Sequence, residues 1–328
     1  MNSAKQNFRV QQWITFLSVV LFAAKIIAYY LTSSLAILSD ALESIVNVLA
    51  GFIGLYSLYV AAKPRDVEHP YGHGKAEFIS AAAEGALIIA AGFLIFYETI
   101  QNFVQHKPLE KLDTGIYVVA ATAVVNYVAG FICEKLGKRN NSLALQASGK
   151  HLKIDTWSTL IIIATLGVML ITNLLWLDKV VALIMSIWIM YNGYKIIRES
   201  LAGIMDEADM KLLQHMVEVL NKNRKPNWID LHNLRVIKYG SVLHIDCHLT
   251  LPWYMNLIEA HKEIDLLIDL IKKEFGDSIE MFIHTDACLD FSCNICTKDD
   301  CEVRKHPFAR RVEWTLQNVI SNKKHQLQ

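Results

Sequence analysis

The chain reads as a membrane all-α six-helix bundle followed by a soluble α/β domain, and three observations predict it. Six long apolar stretches fill the chain up to about Leu201. From Asp206 onward the composition turns charged and mixed. Only after that change does hydrophobicity alternate with the period of a strand.

A bilayer's hydrocarbon core is about 30 Å thick, so a spanning helix needs roughly 20 mostly apolar residues. Trp13–Leu31, Leu35–Ala61, Phe78–Phe103, Gly115–Leu136, Ser142–Ile171 and Trp176–Ile197 qualify. The first run is too long for a signal peptide and lacks a small-residue cleavage pattern, so it counts as a span. As buried helices of a soluble protein, six such runs joined by short loops would demand a very large core. The chain is 53% hydrophobic with a mean hydropathy of +0.28, which favours the bilayer. Lys+Arg and Asp+Glu both count 32, so no basic excess points to nucleic acid.

Lys and Arg concentrate on the cytoplasmic side of membrane proteins. With the N-terminus inside, that side carries Lys5, Arg9, Lys63, Arg65, Lys75, Lys135, Lys138, Arg139, Lys150, Lys195 and Arg198. The other side keeps Lys107, Lys111 and Lys179. Both termini are therefore expected in the cytoplasm, at the cell (inner) membrane. In that reducing compartment the six cysteines are better used for metal than for disulfides.

Ionisable groups inside a bilayer are costly and mark a pathway by default. In the second run Asp40, Glu43 and Asn47 recur at helical spacing on one face, with Asp40 as an accessory. In the fifth, His151 and Asp155 stand one turn apart. Two helices each offering a pair of N/O ligands can enclose a four-ligand site suited to Zn²⁺ and its first-row neighbours. Polar packing contacts between helices are the plainer alternative, but two matched pairs favour the metal. The loop after the second run offers Asp66, His69 and His73 around permissive glycines. Taken alone it reads more readily as a solvated, charged interfacial loop.

Beyond Asp206 the pattern predicts helix (Ala208–Asn221), strand (Asp230–Tyr239), strand (Val242–Leu251), helix (Leu257–Phe275) and strand (Ser278–His284), an αββαβ domain over 206–287. In the second strand Leu243, Ile245, Cys247, Leu249 and Leu251 share one face, and His244, Asp246 and His248 the other. Ala260, Ile264, Leu267, Ile268, Ile271 and Phe275 form the helix stripe. The domain is small and has no phosphate-binding glycine loop. A tail, 288–328, carries Cys288, Cys293, Cys296 and Cys301, four thiols that fit a closed tetrahedral Zn site or, as a second choice, an iron–sulfur cluster.

The loop string His69-Pro70-Tyr71-Gly72-His73-Gly74-Lys75-Ala76-Glu77, with the His151-x-x-x-Asp155 pair, resembles the cation diffusion facilitator family over nearly the whole chain. The resemblance implies a homodimeric metal-cation/proton antiporter whose soluble part is a metallochaperone-like cytoplasmic domain. It implies a transport site of Glu43, Asn47, His151 and Asp155, and a loop site of Asp66, His69 and His73. It further implies a charge interlock between Lys75 and Asp206. In the cytoplasmic domain His232, His248 and Asp286 would hold one ion, and His261 and His284 a second, with Asp286 bridging. The family usually has Asp or His where Glu43 stands, and nearly always Asp where Asn47 stands. The substrate is then expected to be Zn²⁺, with Fe²⁺, Mn²⁺, Co²⁺ or Cd²⁺ as competitors.

Two rival classes remain. In a membrane-tethered sensor the spans would only anchor, which leaves intramembrane ligands without purpose. An intramembrane metalloenzyme lacks a His-Glu-x-x-His and a nucleophile beside a plausible base.

Overall fold

The computed structural model describes residues 3–102, 112–140, 142–172, 176–240 and 242–327. Phe103, Lys107 and Lys111 lie outside the described residues. The chain separates into two compact units, Met1–Met205 and Asp206–Gln328.

The first unit holds α1 (Ser3–Thr32), α2 (Leu35–Ala61), α3 (Ala76–Asn102), α4 (Leu112–Arg139), α5 (Leu143–Thr172) and α6 (Trp176–Ile204). All six contain a segment long and apolar enough to cross a membrane. α1 and α6 run a turn or more past the apolar stretches at their polar ends, because helical hydrogen bonding continues where hydrophobicity stops. The surface is inverted relative to a soluble protein. Trp13, Phe16, Tyr30, Phe52, Tyr56 and Phe93 face outward, while Asp40, Glu43, Asn47, His151 and Asp155 are buried. Lipid is the solvent that makes such a distribution stable.

The helices pack chiefly as α1 on α2, α3 on α6 and α4 on α5. Small residues let the pairs close. A Cβ on Gly85 would lie 2.9 Å from the Gly193 carbonyl oxygen, and one on Gly193 would lie 2.8 Å from that of Gly85. Gly149 likewise meets the Glu134 backbone, where a Cβ would sit 2.5 Å from the amide nitrogen. This last contact brings α5 against α4 one turn before Lys153, whose ammonium reaches Glu134 at 2.6 Å.

The second unit contains α7 (Met210–Lys222), β1 (Asp230–Tyr239), β2 (Val242–Leu251), α8 (Leu257–Phe275), β3 (Ile279–Ala287) and a short α9 (Leu316–Val319). The sheet order is β1-β2-β3, with β1 antiparallel and β3 parallel to β2. Parallel neighbours require a crossover, which α8 supplies. Asn256 and Glu259 cap its start reciprocally, each hydrogen bond 3.0 Å, and Gly276 ends it at φ +94°. The apolar face of β2 is buried as its alternation predicts: Ile245, Cys247, Leu249 and Leu251 pack against Leu213, Met216, Leu267 and Ile271. Burying each Leu or Ile is worth about 1.5–3 kcal/mol. β3 runs three residues past the expected His284, because its backbone continues to pair with β2 as far as Ala287 opposite Leu251. The segment after Cys288 joins this core through Trp314 and Val319. Sheet register also decides where the histidines stand. His232 pairs with His248, and His248 with His284, so three histidines form one row across the strands.

Candidate metal centres

Within the first unit, α2 and α5 meet through their polar faces. Asn47 donates its amide N–H to Asp155 Oδ2. His151 Nε2 lies 3.6 Å from Asp155 Oδ1, and Ser158 donates to Glu43 Oε2 at 3.3 Å. The four residues assigned to transport are therefore buried together between two helices. Asn47 Oδ1, His151 Nε2 and Asp155 Oδ1 have no hydrogen-bond partner despite their burial. Such atoms are costly unless a cation or proton engages them. A crevice of about 330 Å³ reaches His151 from the end of the bundle where α3 and α5 begin and α6 ends. Phe78, Gln146, Lys150, Lys195 and Glu199 line it.

The sequence reading missed the partner of Asp40. Lys25 of α1, fully buried, places its ammonium 2.8 Å from Asp40 Oδ1, and Thr159 donates to the same oxygen at 2.8 Å. A lone lysine in an apolar run was the signal that should have flagged it. Asp40 is thus held by α1 and α5 as an ion-pair partner and contacts no transport residue by a hydrogen bond. Glu84 of α3 is also buried, and it shares with Asn47 and His151 the wall of a small cavity.

In the loop, Asp66, His69 and His73 bring one ligand atom each within 4.8 Å of one another. Asp66 accepts from the His69 backbone N–H at 2.6 Å, and His73 Nε2 lies 3.5 Å from its other oxygen. That backbone N–H, more than the histidine rings, holds the Asp66 carboxyl below its ordinary range. Gly72 turns the loop at φ +90°, a conformation that favours glycine. Lys75 donates to the Ile204 carbonyl at 3.3 Å. Asp206, its interlock partner by resemblance, opens the second unit at φ +58°.

In the second unit, the histidine row places His232 and His248 around Asp286, and these three also converge within 4.8 Å. Asp286 Oδ2 is 3.4 Å from His232 Nε2 and 3.2 Å from His248 Nδ1, while Oδ1 is 3.8 Å from His284 Nε2. Burial lowers the His232 pKa against the pull of Asp230 and Asp286, which favours the neutral ring, the form that binds metal. His261 stands apart on α8, exposed and 3.9 Å from Asp265. The tail returns to this row: Lys324 Nζ lies 3.4 Å from Asp286 Oδ1, and the His325 ring bonds Asp230. Neither residue carried a sequence signal, since only the fold brings them there.

The four tail cysteines line one small cavity with Tyr254 and Arg304. The Trp253 N–H donates to Cys288 Sγ at 3.4 Å. Burial raises the Cys288 pKa, the Trp253 N–H opposes this, and the other three sulfurs add to the rise.

Comparison with known proteins gives a consistent pattern. Residues 13–205 match the cation efflux transmembrane domain, and residues 208–288 match the cation efflux protein cytoplasmic domain. The chain is 31% identical to the uncharacterized transporter sll1263 of Synechocystis over 72% of its length and 76% of that protein's. It is 27% identical to the cation-efflux pump FieF of Shewanella oneidensis over 82% and 90% of the two chains. It is 26% identical to the FieF pump of Salmonella agona over 84% and 90%.

Proposed function

The chain belongs to the cation efflux family, and from that premise we propose that it exports Zn²⁺ or a related divalent ion by exchange for protons. It is a multi-pass membrane transporter rather than an enzyme. In this reading it sits in the cell's inner membrane with both termini in the cytoplasm and works as a homodimer joined through its cytoplasmic domains. Fe²⁺, Mn²⁺, Co²⁺ and Cd²⁺ are the competing substrates.

One observation carries the proposal: the unpartnered, buried ligand atoms of Asn47, His151 and Asp155 converge across α2 and α5. Carboxylate, imidazole and amide oxygen form a mixed N/O shell that Zn²⁺ accepts. Glu43 is tied to α5 through Ser158, and because Glu43, His151 and Asp155 do not bring one ligand atom each within 4.8 Å of one another, an arriving ion would have to draw its carboxylate in. The crevice to His151 supplies the inward path, and its mouth carries Lys150, Lys195 and Glu199. An entering ion displaces protons from His151 and the carboxylates. Once the helices rock outward, protons from the other side compete for the same groups and release it. The Lys25–Asp40 pair neutralises one extra carboxylate, which leaves Glu43, Asp155 and the Glu84 of the adjoining cavity wall to set the site's charge. Asp66-His69-His73 and the His232-His248-Asp286 row, with His284 at its edge, are accessory metal sites in this scheme.

A membrane-tethered sensor would bind metal in the cytoplasmic domain without moving it. Stopped-flow flux in proteoliposomes, across a panel of divalent ions with an imposed pH gradient, separates the two. Metal entry coupled to proton exit is the expected result. Binding without flux for every ion would refute transport.

A further inference from the structure

The matched cytoplasmic domain ends at residue 288, yet the fold continues and gathers four cysteines beyond or at that border. Cys288 follows directly on β3, Cys293 lies within a 3₁₀ turn (Asp290–Ile295), Cys296 follows it, and Cys301 comes from the next loop. All four are free and line a single cavity of about 20 Å³. That volume admits one atom-sized guest.

The backbone around the cavity is fixed. Arg304 donates to the carbonyls of Cys293 at 3.0 Å, Cys296 at 3.2 Å and Lys298 at 2.6 Å. Ala309 donates its N–H to the Asn294 carbonyl at 2.9 Å, and Ser292 accepts from the Leu289 N–H at 3.1 Å. Cys296 packs with Ile229 and Ile295 in a small apolar cluster that Cys288 and Val312 border. The Trp253 backbone N–H points at Cys288 Sγ, and Tyr254 lines the cavity with Cys301. Donors aimed at sulfur are the outer support a thiolate ligand needs. Four clustered thiolates repel one another unless a cation lies among them.

We propose that Cys288, Cys293, Cys296 and Cys301 form a mononuclear four-thiolate site for a soft divalent ion of the Zn²⁺ or Cd²⁺ class, separate from the transport path. The sulfurs do not yet lie within 4.8 Å of one another as the two histidine–carboxylate groups do, so binding draws them inward by side-chain rotation. Four S–H bonds give four protons to solvent, and four metal–sulfur bonds form. The resulting complex carries two net negative charges, and Arg304 and Lys298 in the cavity wall offset them. A single ion needs only the four sulfurs, whereas an iron–sulfur cluster would bring its own inorganic sulfide. The bound ion ties the turn between β2 and α8, through Trp253 and Tyr254, to the C-terminal segment.

The test uses full-length protein in detergent under anaerobic, reducing conditions, with Co²⁺ as the only metal. Thiolate-to-cobalt charge-transfer absorption is expected, saturating at one Co²⁺ per chain. Histidine–carboxylate sites give no such band. C293S/C296S should abolish it, whereas H232A/H248A should leave it intact. C288H keeps four ligands and should retain binding while shifting the visible cobalt bands, which guards against mere misfolding of the double variant. A parent without the charge-transfer band, a C293S/C296S protein that keeps it, or a C288H spectrum identical to the parent would each overturn the site. Acid-labile sulfide in the protein as purified would overturn its mononuclear character.

Discussion

Replacing Lys25 by Met tests a buried ion pair that joins α1 to α2 inside the membrane unit. The ammonium and Asp40 Oδ1 are 2.8 Å apart and both side chains are essentially inaccessible. In Lys25→Met the carboxylate keeps only the Thr159 hydroxyl. Breaking a buried pair from one side costs about 3–5 kcal/mol, because the remaining charge is left uncompensated. At ~2–4 °C per kcal/mol for a unit of this size, melting should fall by roughly 6–20 °C. Lys25→Met/Asp40→Asn removes both charges, so it should recover most of that loss. Thermal unfolding of the purified protein in detergent, followed by tryptophan fluorescence for parent, both singles and the double, gives the coupling directly. A Lys25→Met protein melting within ~2 °C of the parent would refute the reasoning. So would singles whose losses simply add in the double.

Asn47→Asp adds a titrating acid opposite Asp155, so Zn²⁺ should bind more tightly, its flux should depend more steeply on pH, and release should slow. Metal flux against pH, for Zn²⁺ and Mn²⁺ in parallel, reads this, and an unchanged ratio and profile would make Asn47 structural. Gly85→Val forces α3 from α6, where even a Cβ would lie 2.9 Å from backbone, and should destabilise by about 1–3 kcal/mol, visible as a lower melting temperature. Arg224→Met removes the guanidinium that donates to the Trp228 carbonyl at 3.0 Å and the Val312 carbonyl at 2.7 Å, and that stacks 4.1 Å over Trp314. With the further bond to the Ile229 carbonyl, three charge-assisted hydrogen bonds are lost, each worth roughly 1.5–3 kcal/mol, so limited proteolysis should cut between Cys301 and Trp314 faster than in the parent.

The fold was legible wherever periodicity carries it. Six apolar runs gave the bundle, and the β2 alternation placed Ile245, Cys247 and Leu249 on the buried side. Strand register also follows from such a pattern, and it sets the histidine row. What periodicity does not encode was missed. Lys25 lies fifteen residues from Asp40 on another helix, and only packing joins them. Lys324 and His325 reach β1 and β3 from a segment without a strand or helix pattern of its own. Trp314 likewise enters the core from irregular chain, so hydrophobic spacing gave no hint that the tail is part of the second unit. Histidine count alone did not separate His261, exposed on α8, from its neighbours on the sheet, because which face of α8 meets the sheet is a tertiary matter.

The central claim is that a metal ion crosses the membrane through ligands shared by α2 and α5. Asp155 is the residue on which that claim turns, since it meets both Asn47 and His151 and is wholly buried. The decisive measurement is Zn²⁺ flux into sealed proteoliposomes, under an imposed pH gradient, by the parent and by Asp155→Ala reconstituted at equal density. The account predicts rapid proton-coupled flux for the parent, and flux no faster than empty vesicles for a variant that still inserts and elutes as the parent does. Flux by Asp155→Ala at a rate near the parent's would contradict it.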